Sequence, residues 1–423
     1  MQKTVKSRRL TRTNLLMLLG VLGPGIIVAM VDNDAGGITT YSVAGARFGY
    51  SILWILIPTA VLLFMVQEMN ARMGIVTGKG LAALIRERFS FRLTAAIMLA
   101  VLVANFGNAV SNFAGIAASS QLFGLNKFVA VPVAAVGIWF VVLKGSYKAV
   151  EKVFLLVSLV YVAYIISAFL AHPDWSEVAR GAFVPSGQLN AAYAVMVVTL
   201  VGTTIAPWMQ FYQQASVVDK GLKSDQLWFE RIDTGIGTVL LTVAAAAIVI
   251  CCAAAFFNKP GVGATQITSA EQAAQALAPV AGKYASYLFA FGLLCASIFA
   301  ASILPLSTAY TVCEAFGWEA GIDRTFAEAP RFYGVYTAFI AGGAAFILVP
   351  GMPLITVMLL SQTANGLLLP VVLTCMLKVI RDRDIMGDHV NGDVYNTIAW
   401  AAVAVLYVLD IWLVAATLLG AGR

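Results

Sequence analysis

Apolar residues fill long uninterrupted segments of this chain, and the short polar stretches between them carry most of its charge. A segment of about 20 apolar residues has the length of a helix that crosses the bilayer core. These segments are too continuously apolar for the strands of a membrane barrel, which alternate between lipid and lumen. The pattern predicts an all-α polytopic membrane protein. Its eleven predicted transmembrane helices are, in chain order, Asn14–Phe48, Ser51–Met73, Leu93–Phe123, Phe128–Leu143, Phe154–Ala171, Ala191–Val218, Gly235–Phe257, Tyr284–Cys313, Tyr333–Val349, Leu354–Leu377 and Val394–Leu419.

Composition narrows the range of functions. Hydrophobic residues make up 60% of the 423 residues and charged residues only 11%, against about 25% in soluble domains. No loop is long enough for a separate soluble domain, and the chain has no Ser/His/Asp, Cys/His or HExxH constellation, so we expect no enzyme. Basic residues form no stripe interleaved with aromatic residues, so we expect no nucleic-acid partner.

Lysine and arginine are distributed unevenly between the two sides of the predicted bundle. With the N-terminus inside, 21 of the 27 fall in cytoplasmic segments. Because cytoplasmic segments are enriched in these residues, the asymmetry supports eleven helices, a cytoplasmic N-terminus and an external C-terminus. The short loops are typical of a multi-pass protein of the bacterial inner membrane. We interpret residues 1–13 as a basic cytoplasmic tail and residues 173–190 as an outer loop.

Two of the predicted helices are interrupted in a similar way. Helix 1 contains two carboxylates and two glycines in the segment Val31–Gly37, and helix 6 contains Gly, Thr and Pro in the segment Gly202–Trp208. Helices unwind at such places, and interruptions five helices apart are typical of inverted repeats with a substrate site at the midplane between them. We therefore predict a first repeat over residues 14–172, a second over residues 191–380, and an additional helix 11 over residues 394–419.

The carboxylate of Asp34 is the strongest candidate for binding chemistry. An acidic side chain at mid-membrane costs several kcal/mol unless it faces a partner or a water-filled cavity. A cation is a natural partner, whereas a salt bridge to Lys or Arg is the structural alternative. Asp32 lies two residues earlier and points to another side of a helix, so it either adds negative potential to the access path or reaches water. We expect Glu68, near the end of helix 2, to be solvated.

Several motifs in this chain resemble those of the Nramp divalent-metal transporters. Gly23-Pro24 is followed by Asp34–Gly37, Asp-Ala-Gly-Gly, where that family has Gly-Pro followed at the same distance by Asp-Pro-Gly-Asn. Further matching segments, in helices 1, 2 and 10, are Ala44–Tyr50, Met73–Lys79 and Ser361-Gln362 with Pro370. The similarity follows the helix order over the whole chain. It implies a LeuT-like fold in which helices 1 and 6 are unwound at the midplane.

Departures from the family pattern concern the ion ligands. The family's Met-Pro-His in helix 6 corresponds here to Ala206-Pro207-Trp208, and Gly37 stands where the family has Asn. Methionine sulfur favours transition metals, whereas Mg²⁺ prefers oxygen and retains several waters. The resemblance is therefore to the Nramp-related magnesium transporter branch. It implies a metal site made of Asp34, Gly37, Ala206 and Thr203.

Other departures concern proton coupling. Nramp symporters carry an Asp and a Glu on helix 3, and their positions are taken here by Asn108 and Ser111. Gln213 replaces a helix 6 His, and Ala338 replaces a helix 9 Arg. Since these residues do not titrate near neutral pH, the resemblance implies uncoupled transport.

Five further residues are weaker candidates. Gln362 and Asn365 have hydrogen-bonding groups for the water shell of an ion, and Ala35 and Trp208 would line its path. Thr203 offers a carbonyl or a hydroxyl. Each has an ordinary alternative, because Thr, Asn and Gln often bridge membrane helices and a tryptophan is more often packing.

We conclude that the sequence predicts uptake of partly hydrated Mg²⁺, with Mn²⁺ also tolerated, by alternating access. The first alternative is a proton-coupled Mn²⁺/Fe²⁺ symporter of Nramp type. The second is a transporter of the same fold for an organic substrate such as an amino acid. The divalent ion is the transported substrate, so we expect no cofactor, and we expect a monomer whose surroundings are the lipid bilayer.

Overall fold

The computed structural model describes residues 23–144, 161–187, 190–257 and 270–418, and these residues fold into helices joined by short turns. The helices are α1 (Pro24–Asp32), α2 (Ala35–Phe48), α3 (Leu56–Thr77), α4 (Leu81–Arg88), α5 (Phe91–Leu122), α6 (Lys127–Lys144), α7 (Tyr161–Leu170), α8 (Trp175–Phe183), α9 (Ala191–Thr204), α10 (Pro207–Asp219), α11 (Leu227–Phe256), α12 (Ala270–Phe316), α13 (Pro330–Ile347), α14 (Leu354–Ile380), α15 (Arg383–Met386) and α16 (Asp393–Leu418). A 3₁₀ segment, Gly49–Ile55, joins α2 to α3.

Eight of the described helical segments are long and apolar enough to cross a membrane. The first two predicted helices merge into one of these segments through the 3₁₀ turn, and α13 is helical but is not among the eight. The predicted tail and the start of helix 1, residues 1–22, lie outside the described residues, as does the start of helix 5 up to residue 160. The helical architecture and its order along the chain confirm the predicted all-α membrane fold.

Both predicted helix interruptions are present. Helix 1 is divided into α1 and α2, with Asn33 and Asp34 between them, and helix 6 is divided into α9 and α10 by two residues. Proline at the first position of α10 has no N–H group, so it cannot continue the hydrogen-bond pattern of α9. Asp34 has extended backbone geometry and caps the N-terminus of α2 with its side chain.

Close backbone contacts fix the helices around these breaks. α5 packs against α12 and α14, and α11 packs against α1, α2 and α3. At the crossing of α9 and α14, a Cβ added to Gly202 would lie 2.3 Å from the amide nitrogen of Gly366. Only glycine permits this approach, and small residues generally allow membrane helices to pack closely. The helix that contributes the second break is therefore held directly against α14.

The predicted outer loop contains a helix. Asp174 caps α8, because its carboxylate accepts hydrogen bonds from the hydroxyl and amide of Ser176 at 2.6 and 2.9 Å and from the amide of Glu177. These bonds lower the pKa of Asp174. A Cβ on Gly181 would meet the backbone of Tyr50 at 2.3 Å, so α8 packs against the 3₁₀ turn. The sequence analysis missed this helix because it is short.

The expectation that Glu68 is solvated was wrong. Its side chain is 5% exposed and forms ion pairs with Arg72 on the same helix, at 3.2 Å, and with Arg231 on α11, at 2.8 Å. Tyr395 also donates to the carboxylate from α16. Arg72 in turn donates to the carbonyl of His389 at 2.9 Å. The network joins α3, α11 and the start of α16. The charges of the glutamate and the two arginines compensate each other, whereas the sequence alone indicated only a helix end.

Candidate functional site

The Asp34 carboxylate is buried at the break in helix 1 and is held from two directions. One oxygen, Oδ1, accepts a hydrogen bond from the amide of Gly37 at 2.8 Å, and the other, Oδ2, accepts one from the side-chain amide of Asn112 at 2.9 Å. The Asn112 oxygen accepts from the amide of Ala35 at 3.3 Å. Asn112 therefore bridges the carboxylate and the first residue of α2, and it fixes the direction in which Asp34 presents its charge.

Three oxygen atoms converge beside Gly37. A Cβ on this residue would lie 2.8 Å from the carbonyl oxygen of Asp32, 3.4 Å from the hydroxyl of Thr203 and 3.6 Å from Oδ1 of Asp34. The Thr203 hydroxyl is buried and has no hydrogen-bond partner among the described residues. The end of α1, the start of α2 and the end of α9 thus bring a carbonyl, a carboxylate and an unpaired hydroxyl to one place. Hard cations such as Mg²⁺, and also Mn²⁺, accept ligands of this kind.

Ala206 lies at the break in helix 6 and caps α10 with backbone atoms alone. Its carbonyl accepts a hydrogen bond from the amide of Met209 at 3.1 Å. The preceding break residue, Ile205, donates its amide to Val201 at 2.9 Å, which closes the last turn of α9. The hydroxyls of Thr204 and Tyr41 lie 2.8 Å apart and connect the end of α9 to α2. The two interrupted helices are therefore joined beside their breaks.

Asp32 is buried in the last turn of α1, and its Oδ2 has no hydrogen-bond partner among the described residues. The carbonyl groups at the end of a helix carry partial negative charge, which makes this an unfavourable place for a carboxylate. Asp34 lies two residues away and adds a second buried acid. The two carboxylates together make the break in helix 1 strongly attractive to positive charge.

Gln362 and Asn365 of α14 connect the site to α5. The Gln362 amide lies directly over Gly36, where an added Cβ would be only 1.9 Å from Nε2. Asn365 donates to Oε1 of Gln362 at 2.8 Å and exchanges hydrogen bonds with Asn108. Asn108 is the residue at which the resemblance implies a lost acid of the proton path. It is thus part of a neutral amide network beside the break in helix 1.

Ala35 and Trp208 have packing contacts. A Cβ on Gly115 would lie 2.4 Å from the Cβ of Ala35, so α2 and α5 are in direct contact there. Trp208 is 2% exposed, and its carbonyl accepts from the hydroxyl of Ser307 at 3.0 Å. Both residues lie next to the breaks, in the first turns of α2 and α10.

The resemblance implies that proton-path residues are also absent at positions 111, 213 and 338. These three positions lie in different surroundings. Ser111 is fully buried on α5, and its hydroxyl has no partner among the described residues. Gln213 donates to Glu230 of α11 at 2.9 Å. Ala338 is exposed on α13. The structure therefore does not bring Gln213 and Ala338 into the hydrogen-bond network of Asn108.

Two residues that hold the halves of helix 1 in place were missed by the sequence analysis. Asn112 is one, although Asn105, Asn108 and Asn112 share one face of α5 by their spacing, which is a signal for a buried polar stripe. The other is Asp233 of α11, which is fully buried. Its carboxylate accepts from the amides of Gly23, at 3.2 Å, and Gly25, at 2.6 Å, and so caps the start of α1. No sequence pattern indicates that pairing, because the partners are backbone groups about 200 residues away.

Comparison with solved structures establishes the fold. A manganese transporter of Eremococcus coleocola, solved with an aromatic bis-isothiourea substituted compound, superposes with a TM-score of 0.78 at 24% identity, over 97% of this chain and 89% of that one. Mhp1, a nucleobase-cation-symport-1 family transporter solved in a closed conformation with bromovinylhydantoin bound, superposes with a TM-score of 0.58 at 16% identity, over 94% and 91%. The fold is therefore LeuT-like, as the paired breaks and the resemblance predicted.

Sequence comparison identifies the family. The divalent metal cation transporter MntH of Ralstonia nicotianae is 28% identical over 426 residues, which cover 95% of this chain and 92% of the relative. The sequence profile of the Nramp family, described as natural resistance-associated macrophage protein-like, matches residues 25–416. Because that match extends over nearly all of the 423 residues, this chain belongs to the Nramp family.

Proposed function

We propose that this protein transports a divalent metal cation across a membrane and that the cation binds at the break in helix 1. The observation that carries the proposal is the convergence of the Asp34 carboxylate, the Asp32 carbonyl and the unpaired Thr203 hydroxyl beside Gly37. A cation compensates the cost of the buried carboxylates and provides the hydroxyl with a partner. The MntH relative, named a divalent metal cation transporter, gives independent support.

Alternating access follows from the same arrangement. Each interrupted helix consists of two short pieces that tilt separately, and the ion lies where the pieces meet. α1 is anchored to α11 through Asp233, whereas α2 is joined to α9 through the bond between Tyr41 and Thr204. The two halves of helix 1 are therefore attached to different neighbouring helices, which suits separate movement of each half.

The name of one relative indicates Mn²⁺ as the transported ion. The relative from Eremococcus coleocola is named a manganese transporter, and transport of Mn²⁺ or Fe²⁺ coupled to protons is the first alternative drawn from the sequence. Mn²⁺ accepts carboxylate, carbonyl and water ligands, so the oxygen atoms beside Gly37 suit it. We therefore take divalent transition-metal transport of Nramp type as the leading function.

The second candidate is uptake of Mg²⁺ without proton coupling, and one local observation favours it. Ala206, where the family has Met, offers the ion no sulfur, and the groups nearest to Gly37 are all oxygens. Asn108, Ser111, Gln213 and Ala338 cannot carry a proton at neutral pH. A divalent ion gains about 4.6 kcal/mol per 100 mV of inside-negative potential, two charges at about 2.3 each, so the membrane potential alone would drive uptake.

Reconstitution into liposomes separates these two candidates. Uptake of Mn²⁺, Mg²⁺ and H⁺ is followed with separate dyes at matched ion concentrations. Acidification of the lumen together with Mn²⁺ entry would support the symporter and exclude uncoupled transport. Mg²⁺ entry at unchanged luminal pH, with weak competition by Cd²⁺, would support the second candidate.

The site itself is tested by replacing Asp34. Asp34→Asn should abolish uptake of both ions, because it removes the charge but keeps the side-chain volume. Asp225→Asn is the matched control, since Asp225 is an exposed acid in the turn before α11. Normal uptake by the Asp34 variant would refute the binding site.

We also propose the inverted-repeat organisation, with repeats over residues 14–172 and 191–380 and an additional helix over residues 394–419. The similar breaks in helices 1 and 6 support it. With eleven spans, the two termini lie on opposite sides of the membrane. The distribution of Lys and Arg then predicts that the N-terminus is cytoplasmic and the C-terminus external. Single cysteines added at each terminus, labelled with a membrane-impermeant maleimide in intact cells, test this topology. Labelling of both termini, or of neither, would contradict it.

A further inference from the structure

A pocket of about 660 Å³ lies at one end of the helix bundle, away from the helix breaks. Its walls come from the end of α14, the turn into α15, the first turns of α16 and the connection between α4 and α5. The basic-residue distribution predicts that this end faces the cytoplasm. No residue of the candidate metal site lines the pocket, so it requires a separate explanation.

Positive charge predominates in the pocket. Four basic residues, Arg88, Lys378, Arg381 and Arg383, line it together with two carboxylates. One of the carboxylates, Asp382, pairs with Arg88 at 2.7 Å. No carboxylate of the described residues forms an ion pair with the other three cations, which are exposed. The pocket therefore attracts an anion with several oxygen acceptors.

Aromatic side chains form the apolar part of the pocket. Phe89 and Trp400 line it, and the Lys378 ammonium lies 6.0 Å from the centre of the Phe89 ring. Trp400 is in α16, a candidate membrane span. Tryptophan is enriched at the headgroup level of bilayers, where one side of the ring is apolar and the other polar. A ligand that fits has both an anionic group and an apolar part.

The neighbouring surface indicates where the bilayer begins. Phe91, in the first turn of α5, is 85% exposed, and Val394, in the first turn of α16, is 77% exposed. Both helices are candidate membrane spans, so these apolar side chains mark the level at which the bundle enters lipid. The pocket lies at the same ends of the same helices. Its anion site is therefore at headgroup depth.

We propose that this pocket binds the phosphate group of an anionic phospholipid from the cytoplasmic leaflet. Arg381 and Arg383 have planar guanidinium groups that match phosphate oxygens, and Lys378 adds a point charge. Phe89 and Trp400 contact the glycerol and the first acyl carbons. A free phosphate ion shares the anionic chemistry but makes no use of the aromatic side chains. The proposal depends on the membrane fold and not on which ion is transported.

Binding is tested on the purified full chain in neutral detergent. Phosphatidylglycerol and phosphatidylcholine are titrated separately, and retained lipid is counted by native mass spectrometry. Arg381→Gln combined with Arg383→Gln should weaken phosphatidylglycerol binding about tenfold or more, since each cation near an anionic lipid surface contributes several-fold. Phosphatidylcholine binding should not change.

Two further variants make the test specific. Arg324→Gln combined with Arg331→Gln removes the same charge from the same predicted side of the membrane, but neither residue lines the pocket, so binding should be unaffected. Asp384→Asn removes a carboxylate from the pocket and should strengthen binding. This opposite effect is not produced by misfolding.

Two results would overturn the proposal. Equal weakening in both arginine pairs would mean that lipid responds only to net charge. Displacement of phosphatidylglycerol by an equal concentration of inorganic phosphate or glycerol 3-phosphate would mean that the pocket is a site for soluble phosphate and not for lipid. Loss of binding in the pocket variant alone, without such displacement, supports it. None of these measurements depends on transport, so they remain informative if the proposed function fails.

Discussion

Asn108 and Asn365 exchange hydrogen bonds between α5 and α14, with the Asn108 amide donating at 3.0 Å and the Asn365 amide donating at 2.9 Å. Both side chains are buried. Asn365 also donates to Gln362, which lies over Gly36 at the start of α2. The amide pair therefore links the helix that carries Asn112 to the helix that contacts the first break.

A double-mutant cycle on this pair should reveal direct coupling. Asn365→Ala leaves the buried Asn108 amide unpaired, and Asn108→Ala leaves the Asn365 oxygen unpaired, whereas the double variant removes both side chains. The coupling free energy should be about 0.6 kcal/mol, the average for hydrogen bonds between membrane helices, and at most about 1.7 kcal/mol. Unfolding in mixed detergent measures it. Additive effects of the two substitutions would show that the pair contributes nothing specific.

Gly37→Ala should reduce cation uptake strongly while the protein still folds. The added Cβ would lie 2.8 Å from the Asp32 carbonyl and 3.4 Å from the Thr203 hydroxyl, so it occupies the place where the three oxygens converge. Cation affinity should fall about tenfold or more, as a loss of about 1.4 kcal/mol or more of coordination free energy implies. Gly137→Ala is the control, because a Cβ there meets nothing within 4 Å. The prediction fails if both variants bind and transport alike.

Asp233→Asn should loosen the start of α1. The substitution replaces a charged acceptor of the Gly23 and Gly25 amides with a neutral group, and loss of a helix cap costs about 1 kcal/mol. Hydrogen exchange over residues 23–32, followed by mass spectrometry, should be faster by about fivefold. Asp225→Asn, at an exposed position in the turn before α11, should leave exchange unchanged. Unaltered protection in the Asp233 variant would show that other contacts hold α1.

Glu68→Gln should destabilise the protein by about 3 kcal/mol, because it leaves the buried Arg72 without its counter-charge. Arg231, 44% exposed, is compensated by water and contributes less. Glu87→Gln, which breaks the exposed ion pair with Lys79, should cost less than about 1 kcal/mol. Denaturation in detergent compares the two. Similar losses would mean that the Glu68 network is solvated after all.

The sequence predicted the fold well because lipid imposes strict rules on composition. The length of the apolar segments indicated the spans, and clusters of Gly, Pro and Asp indicated both helix breaks. It failed for α8, whose nine residues are too few to produce a strong pattern. It also failed for Glu68, since an acid near a predicted helix end has the same sequence signature whether it meets water or Arg231.

The candidate site was predicted only in part. Asp34, Gly37 and Thr203 were chosen from the sequence and lie together, but the support of the carboxylate by Asn112 depends on how α5 packs against α2. Spacing placed Asn105, Asn108 and Asn112 on one face without indicating what that face meets. Asp233 accepts hydrogen bonds from backbone amides. Nearly every residue has a backbone amide, so the sequence does not indicate which amides this carboxylate contacts.

Oδ1 of Asp34, which caps α2 by accepting a hydrogen bond from the Gly37 amide, is also one of the three oxygens that converge beside Gly37. A cation at the proposed site would therefore share this oxygen with the first turn of α2. A cation that shifts the oxygen would change the orientation of α2, and a tilt of α2 would move the ligand. Ion binding and the tilt of α2 would then be coupled through one carboxylate oxygen, with no residue between them.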